Sequence, residues 1–416
     1  MTPPGVLPSK RFELLRETRL TDEEMHVLQP YIPGPEPALN PVAPRRIPVS
    51  GTLLDGNEKR YLLECVESNW ISSAGPFVKR FEQAFASAAG CRFGVSCSSG
   101  TAALHLALAA LGLGPGDEVI VPAFTMIATA NAVTYTGASP VLADADPVTW
   151  NVDVASVAAR ISDRTKAIVV VHTYGHPADM GPLRELASRR GLALVEDAAE
   201  AHGAAWSGRP VGSLGDAAAF SFYGNKVLST GEGGMVTTND AELARVVRRL
   251  RDHAFSEDRH FWHTYLGFNY RMTNLQAAVG LAQCERLAAL VEKRRWNARL
   301  YAERLAGIPG LTLPQEAAGV TNVFWMYGVL VDEELGLTRD ALREALAREG
   351  IETRTFFVPL HFQPIYFRRF RGERFPAAER LGQRGLYLPS GPALTEPEID
   401  AVSRALAGAA GRRTAG

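Results

Sequence analysis

The chain has 416 residues, too many for one compact core and enough for a large domain with a smaller companion. Hydrophobic residues make up 46% and charged residues 21%, an ordinary globular balance, and the net charge of −1 gives no global field to draw it to nucleic acid or an anionic membrane. The longest helical apolar run, Thr101 to Gly114, is too short to span a bilayer and contains His105.

At the N-terminus, Lys10, Arg11, Glu13 and Arg16 interrupt any signal-peptide core. Thr21 and Glu24 have capping-box spacing, which predicts a short helix starting at Asp22. Prolines at 30, 33, 35, 37, 41 and 44 then argue against regular structure. Residues 1–46 thus form an extension, read either as an arm that clasps a partner subunit or as a weakly ordered leader.

From about residue 92 the pattern becomes strand, loop, helix, repeated. Short apolar or β-branched runs occur at Glu118–Val121, Ala167–Val171, Leu192–Glu196, Ala218–Phe222 and Met235–Thr238. Such alternation predicts an α/β domain with a mostly parallel central sheet, over residues 47–290. One long helix is expected from Asn274, as its N-cap, to about Leu305. A strand (Phe324–Val331), a helix (Thr338–Arg348), a strand (Glu352–Phe356) and a last helix (Glu396–Leu406) follow. They predict a smaller α+β domain over 291–416. Cys65, Cys91, Cys97 and Cys284 have neither metal-ligand spacing nor a disulfide framework, so reduced thiols in a cytoplasmic protein and no metal site are expected.

Three segments carry chemistry. In Ser96–Thr101, small residues lead into a helix over Ala102–Leu111, where free N–H groups and the helix dipole favour an anion. Gly100 lets the backbone approach a phosphate, and Thr101 adds a hydroxyl. Alone this is usually just a cap. In Leu194–Gly203, an apolar strand runs into the acidic pair Glu196–Asp197; Asp197 can face the crevice and hold a cationic ring nitrogen, with Glu196 the alternative. Alone, two solvated acids at a strand end are the better reading. In Phe220–Met235, Lys226 sits in a glycine-rich loop between two strands. A lysine is commonly a surface cation, but its amine also forms Schiff bases with aldehydes. Together the three supply a phosphate cradle, a pyridinium partner and an imine-forming lysine. No Walker spacing occurs and no Rossmann fingerprint follows the first strand.

On these residues the chain resembles the DegT/DnrJ/EryC/StrS sugar aminotransferases, which have the type I pyridoxal-phosphate (PLP) fold. The resemblance runs from Ile47 to about Leu406. It is carried by Trp70–Ser73, Ser98–Leu108, Tyr174–Met180, Glu196–Ala201, Ser221–Met235, Asn269–Asn274 and Ile351–Arg354, with the lysine stretch the most specific. It implies PLP held by Lys226, with Asp197 on the pyridine nitrogen and Ser99, Gly100, Thr101, Ser221 and Glu200 among the cofactor contacts. It further implies a homodimer in which Asn269 reaches the neighbouring subunit's phosphate. Trp70, Arg354 and His361 fall in segments similar to substrate-facing ones. Met126 stands where the family usually stacks an aromatic ring on the cofactor; a thioether covers a ring less rigidly.

The implied reaction moves an amino group from glutamate to a keto-sugar nucleotide with ping-pong kinetics. Carbon 4 of a 6-deoxyhexose, as in perosamine-type members, is the expected position; members acting at carbon 3 or on cyclitols are the alternative. Related sugar 3-dehydratases carry histidine at the lysine position, which Lys226 argues against. A non-catalytic PLP-binding regulator is the remaining class. The basic-aromatic stretch Tyr366–Arg371 is read as an amphipathic segment of the small domain rather than a nucleic-acid site.

Overall fold

The computed structural model describes residues 20–41, 43, 46–259 and 261–411. The signal-peptide expectation at Lys10–Arg16 lies outside these residues. The capping box at Thr21 and Glu24 is formed, and the helix Asp22–Leu28 begins where it predicts.

The strands are β1 (Phe93–Cys97), β2 (Glu118–Pro122), β3 (Ser139–Ala143), β4 (Thr165–Val171), β5 (Ala193–Asp197), β6 (Ala205–Trp206), β7 (Arg209–Pro210), β8 (Ala217–Ser221), β9 (Gly234–Thr238), β10 (Leu311–Thr312), β11 (Val320–Thr321), β12 (Tyr327–Val331), β13 (Arg354–Thr355) and β14 (Gly385–Leu388). Seven of them form one sheet in the order β1-β9-β8-β5-β4-β2-β3. Neighbours from β8 through β3 pair in parallel, and only β9 runs against both of its neighbours. Helices cover both faces, so β2 is buried at every position and its sequence reads as a continuous apolar run after Glu118. β3 escaped the sequence reading because Pro140 interrupts it. The strand tolerates that proline because it is the sheet edge.

The expected single helix 274–305 is two helices, Asn274–Cys284 and Leu287–Leu305. At the break, the Glu285 carboxylate accepts from the Tyr61 hydroxyl at 2.5 Å and from Asn57 Nδ2 at 2.6 Å, while Arg286 pairs with Asp55. The N-cap is Thr273, in a capping box with Gln276. Asn274 instead turns its amide inward. Its Oδ1 accepts from the Phe77 N–H at 2.8 Å and its Nδ2 donates to the Trp70 carbonyl at 2.6 Å. Gly75 is required there, since a Cβ would lie 2.1 Å from Asn274 Cγ.

A second, antiparallel sheet has the order β10-β12-β14-β13. Its apolar cluster joins Tyr301, Tyr327, Leu342, Leu386 and Ile399 with Ile47, which bridges Ile351. β12 starts three residues later than expected, because Phe324 is left-handed (φ 47°) and cannot extend the strand. The Tyr366–Arg371 stretch buries Tyr366, Phe367 and Phe370, as an amphipathic segment should. The described part of the extension lies along its own chain: Tyr31 stacks on Phe362 with centroids 3.7 Å apart, and Glu24 pairs with Arg368. Among the described residues no helix is long and apolar enough to cross a membrane.

Candidate active site

The carboxyl ends of β5 and β8 and the amino end of the helix Gly100–Ala110 meet around a cavity of about 410 Å³. Ligands bind at this edge of open α/β sheets. Eight of the residues singled out from the sequence line it: Ser99, Gly100, Thr101, Met126, Asp197, Glu200, Ser221 and Lys226. Trp70, Asn269, Arg354 and His361 do not. Asn269 is exposed, and its Oδ1 accepts from Arg271 Nε at 3.0 Å. His361 is buried between Phe362 and Phe375, with Glu379 at 3.5 Å. Burial pushes its pKa down to about 4, although Glu379 pulls the other way.

Strand alternation settles the acidic pair. Consecutive residues of β5 point to opposite faces, so only one carboxylate can enter the cavity. Asp197 does; its Oδ2 accepts from the Thr129 hydroxyl at 2.7 Å. Glu196 faces the other way and is fully buried. It accepts from the amides of Gly212 (3.0 Å), Leu214 (2.8 Å) and Gly215 (2.7 Å) and from His172 Nε2 at 3.0 Å. His172 Nδ1 accepts from the Ala178 N–H, so Nε2 carries the hydrogen.

Lys226 projects its amine into the cavity. The Nζ atom lies 3.6 Å from Glu200 Oε1 and 3.6 Å from the centre of the Trp325 ring. Burial lowers its pKa, and the charges of Glu200 and Asp197 act against that. Burial raises the Asp197 carboxyl despite the Thr129 hydroxyl bond, so a cationic partner in the cavity would restore its charged form. Burial also pushes Glu200 up to about 7, against the pull of Lys226.

Glu200 is held by an unusual backbone. Tyr174 is left-handed (φ 53°), costly for a bulky side chain, and its N–H donates to Glu200 Oε2 at 2.8 Å. Because Glu200 favours the charged form of Lys226, Glu200→Gln should move the pH midpoint for covalent capture of added PLP by Lys226 to lower pH. Borohydride trapping across a pH series reads it; an unmoved or raised midpoint would contradict the pairing.

At the opposite wall, Ser99 caps the helix Gly100–Ala110, its Oγ accepting from the Ala102 N–H at 3.1 Å. The helix's first N–H groups have no partner within it. Two glycines pack this corner: a Cβ on Gly100 would lie 2.6 Å from Ser221 Cβ, and one on Gly234 would lie 2.2 Å from the Ser99 carbonyl oxygen. The corner thus presents helix N–H groups and small hydroxyls, the donor set that favours an anion. Met126 is half exposed over the cavity.

Residues 53–407 match the DegT/DnrJ/EryC1/StrS aminotransferase family. The chain belongs to that family. It is 50% identical over 362 residues to the GDP-perosamine synthase of Caulobacter vibrioides, covering 87% of this chain and 97% of that one. It is 43% identical over 353 residues to the GDP-perosamine synthase of Escherichia coli O157:H7, covering 85% and 95%. Among solved structures, S. venezuelae DesV in complex with a ketimine intermediate is similar at 40% identity and TM-score 0.81, over 86% of this chain and 95% of that one. DesI in the presence of its TDP-sugar product is similar at 36% identity and TM-score 0.82, over 90% and 95%. Membership places the chain in the PLP-dependent aminotransferase class.

The donor set fits PLP. An anion cradle, a buried carboxylate and a buried primary amine surround one cavity of ligand size. Asn225 adds a buried Oδ1 with no hydrogen-bond partner at the same wall. Sequence reasoning missed the support behind Lys226. Trp325 Nε1 donates to the Asn225 carbonyl at 2.8 Å. The buried Arg294 donates to the carbonyls of Trp325 (2.6 Å) and Ser390 (3.1 Å). Trp325 follows Lys226 by about a hundred residues, and no local pattern links them.

Proposed function

We propose that this protein uses PLP to transfer an amino group from glutamate to a keto-sugar nucleotide, at carbon 4 of a 6-deoxyhexose. The observation that carries the reading is the Lys226 amine inside one cavity with Asp197, Glu200 and the Ser99–Thr101 cradle. The identity of 43–50% to GDP-perosamine synthases over nearly their whole length supports the sugar-nucleotide substrate.

In this reading Ser99, Gly100, Thr101 and Ser221 hold the cofactor phosphate, and Asp197 faces the ring nitrogen. PLP supplies an aldehyde for exchange with amines and a ring that accepts an electron pair. Lys226 Nζ carries a proton between the substrate carbon and the site. Asp197 Oδ2, fixed by Thr129, keeps a proton on the group it faces. Glu200, near 7, can hold or release a proton beside Lys226 at neutral pH. Trp325 closes the wall behind the amine and keeps water from it. Met126, which lines the cavity, would cover a face of the cofactor at the position where the family resemblance implies an aromatic ring.

The working unit in this reading is a homodimer, with Asn269 completing the neighbouring site. The segment leading to Asn269 supports it: Phe261, Trp262 and Leu266 are 76%, 57% and 90% exposed, as residues awaiting a second copy would be. A cytoplasmic location is supported by four free thiols.

A second reading is favoured by one relative, a UDP-N-acetyl-3-dehydro-alpha-D-glucosamine 3-aminotransferase of Acidithiobacillus ferrooxidans, 43% identical over 327 residues. A panel of 4-keto and 3-keto sugar nucleotides with glutamate decides between them. The expected product is a 4-amino sugar nucleotide, identified by mass and by the position of its nitrogen. Amination only at carbon 3 would replace the first reading with the second; no amination of either class would refute both.

A further inference from the structure

Residues 20–47 precede the family match, which begins at residue 53. They nonetheless lie along the second sheet and its helices as a strap fastened at several points. The Tyr31 hydroxyl donates to Glu379 at 3.2 Å, Asn40 N–H donates to the Ala347 carbonyl at 3.1 Å, and Ile47 exchanges backbone bonds with Gly350 and Glu352. Between these anchors sits Glu36. Its Oε2 lies 3.0 Å from Arg343 Nη2 and 3.2 Å from Arg354 Nη1.

Arg354 is the informative partner. In the β13–β14 register it stands directly opposite Tyr387. Cross-strand partners share one face of a sheet, and Tyr387 lines the active-site cavity. Arg354 therefore shares the sheet face of Tyr387, beside the cavity though not in its lining, and its side chain is 41% exposed. Burial pushes the Tyr387 hydroxyl up to about 12, with the charge of Glu200 adding to it and that of Arg354 acting against it, so Arg354 and Glu36 are near enough to be felt there.

Arg354 is also over-supplied with negative charge. Glu352 Oε1 lies 2.5 Å from its Nη2, while Glu36 takes Nη1. Arg343 has Asp340 at 3.4 Å besides Glu36, so it does not depend on the strap alone. An incoming anion can take a guanidinium fork only by displacing a carboxylate. Glu352 is tied at its other oxygen by the Val49 N–H at 3.2 Å, whereas Glu36 is 60% exposed. Glu36 is the carboxylate that gives way.

We propose that Glu36 is a specificity-determining residue: from the strap it holds Arg354 at the cavity rim and competes with the diphosphate of a nucleotide-linked substrate for that guanidinium. This rests on the sugar-nucleotide reading. The strap thus weakens ground-state binding of the nucleotide and favours release of a nucleotide-linked product.

The test uses full-length, PLP-loaded protein as wild type, Glu36→Gln, Arg354→Gln and the double variant. Affinities for GDP and for inorganic pyrophosphate are measured by calorimetry, with glutamate affinity in the first half-reaction as control. Glu36→Gln should bind both probes about two- to fivefold more tightly, the scale of an exposed ion pair. On the Arg354→Gln background the same change should have no effect, which a merely structural strap would not produce. Equal or weaker probe binding by Glu36→Gln overturns this inference alone. A gain that survives without Arg354 overturns it too. If neither wild type nor Glu36→Gln binds GDP or pyrophosphate, this inference is overturned, while the keto-sugar panel tests the sugar-nucleotide reading separately.

Discussion

Lys226→Ala should lose covalent attachment of PLP and more than about a thousandfold of turnover, while the fold stands. The chemistry follows from a single amine. Among the described residues Lys226 is the one lysine lining the cavity, so no second amine there takes over either the attachment or the proton. The stability side follows from the charges. Burial lowers the Lys226 pKa, so between that lowered value and the usual ~10.4 the folded chain binds fewer protons than the unfolded one. That burden is fully present below the lowered pKa and disappears as pH rises through the ordinary one. Alanine removes it at neutral pH. Against this stands the lost contact with the Trp325 ring, worth about 0.5–2 kcal/mol. The partner acids are not stranded, because Glu200, already near 7, takes up a proton once its cation is gone. The two effects oppose, and thermal unfolding at pH 7 should show a change within about 2 kcal/mol. Borohydride reduction and peptide mapping of the wild type complete the test. A pyridoxyl label on any other lysine would remove Lys226 from its role.

The site was legible in the sequence where chemistry and local pattern coincide. Ser99–Thr101 stand at the start of a helix, Asp197 at the end of a strand and Lys226 in the glycine-rich loop after β8, and the fold delivers all of them to one cavity. What was hidden depends on long-range contacts. Trp325 lines the cavity, and Arg294, Thr129 and Tyr174 hold lining residues in place, but each acts through a backbone or side chain tens of residues away. The left-handed Tyr174 has no local signal at all, because asparagine or glycine is the usual occupant of that conformation. The fold divides in the same way. The buried parallel strands announced themselves, while the edge strand β3 was masked by Pro140. The long helix was misjudged because apolar periodicity continues through Glu285 and Arg286. The break lies in their ties to Asn57, Tyr61 and Asp55. The extension was open between an arm toward a partner and a weakly ordered leader; its described part makes long-range contacts with its own chain, Tyr31 on Phe362 and Glu24 with Arg368, which no local pattern announces.

The other large effect separates two adjacent carboxylates that the sequence left as alternatives. Asp197→Asn should retain cofactor binding but slow the glutamate half-reaction by about 10²–10⁴-fold, the rate equivalent of the roughly 3–5 kcal/mol lost when one member of a buried charge pair is removed. The amide keeps the hydroxyl bond from Thr129 and nearly the same volume, so packing changes little. What it loses is the charge that holds a proton on the group it faces. Glu196→Gln should behave in the opposite way. Burial alone would raise the Glu196 carboxyl, but the bonds from His172 and the amides of Gly212 and Gly215 outweigh it and hold the pKa below the ordinary value. A depressed carboxyl stabilises the fold above the unfolded pKa near 4.3, and that contribution is lost as pH falls through the folded one. Neutralising it by mutation costs the same term at pH 7, where hydrogen bonds to a charged acceptor contribute about 1.5–3 kcal/mol each. Glu196→Gln should therefore lower the melting temperature and leave the half-reaction rate of the surviving folded enzyme close to wild type. Stopped-flow absorbance of the glutamate half-reaction and thermal unfolding, read on both variants, separate rate from stability. Near-wild-type rates in Asp197→Asn together with a slow Glu196→Gln would transfer the role to Glu196, against the direction in which β5 points the two side chains.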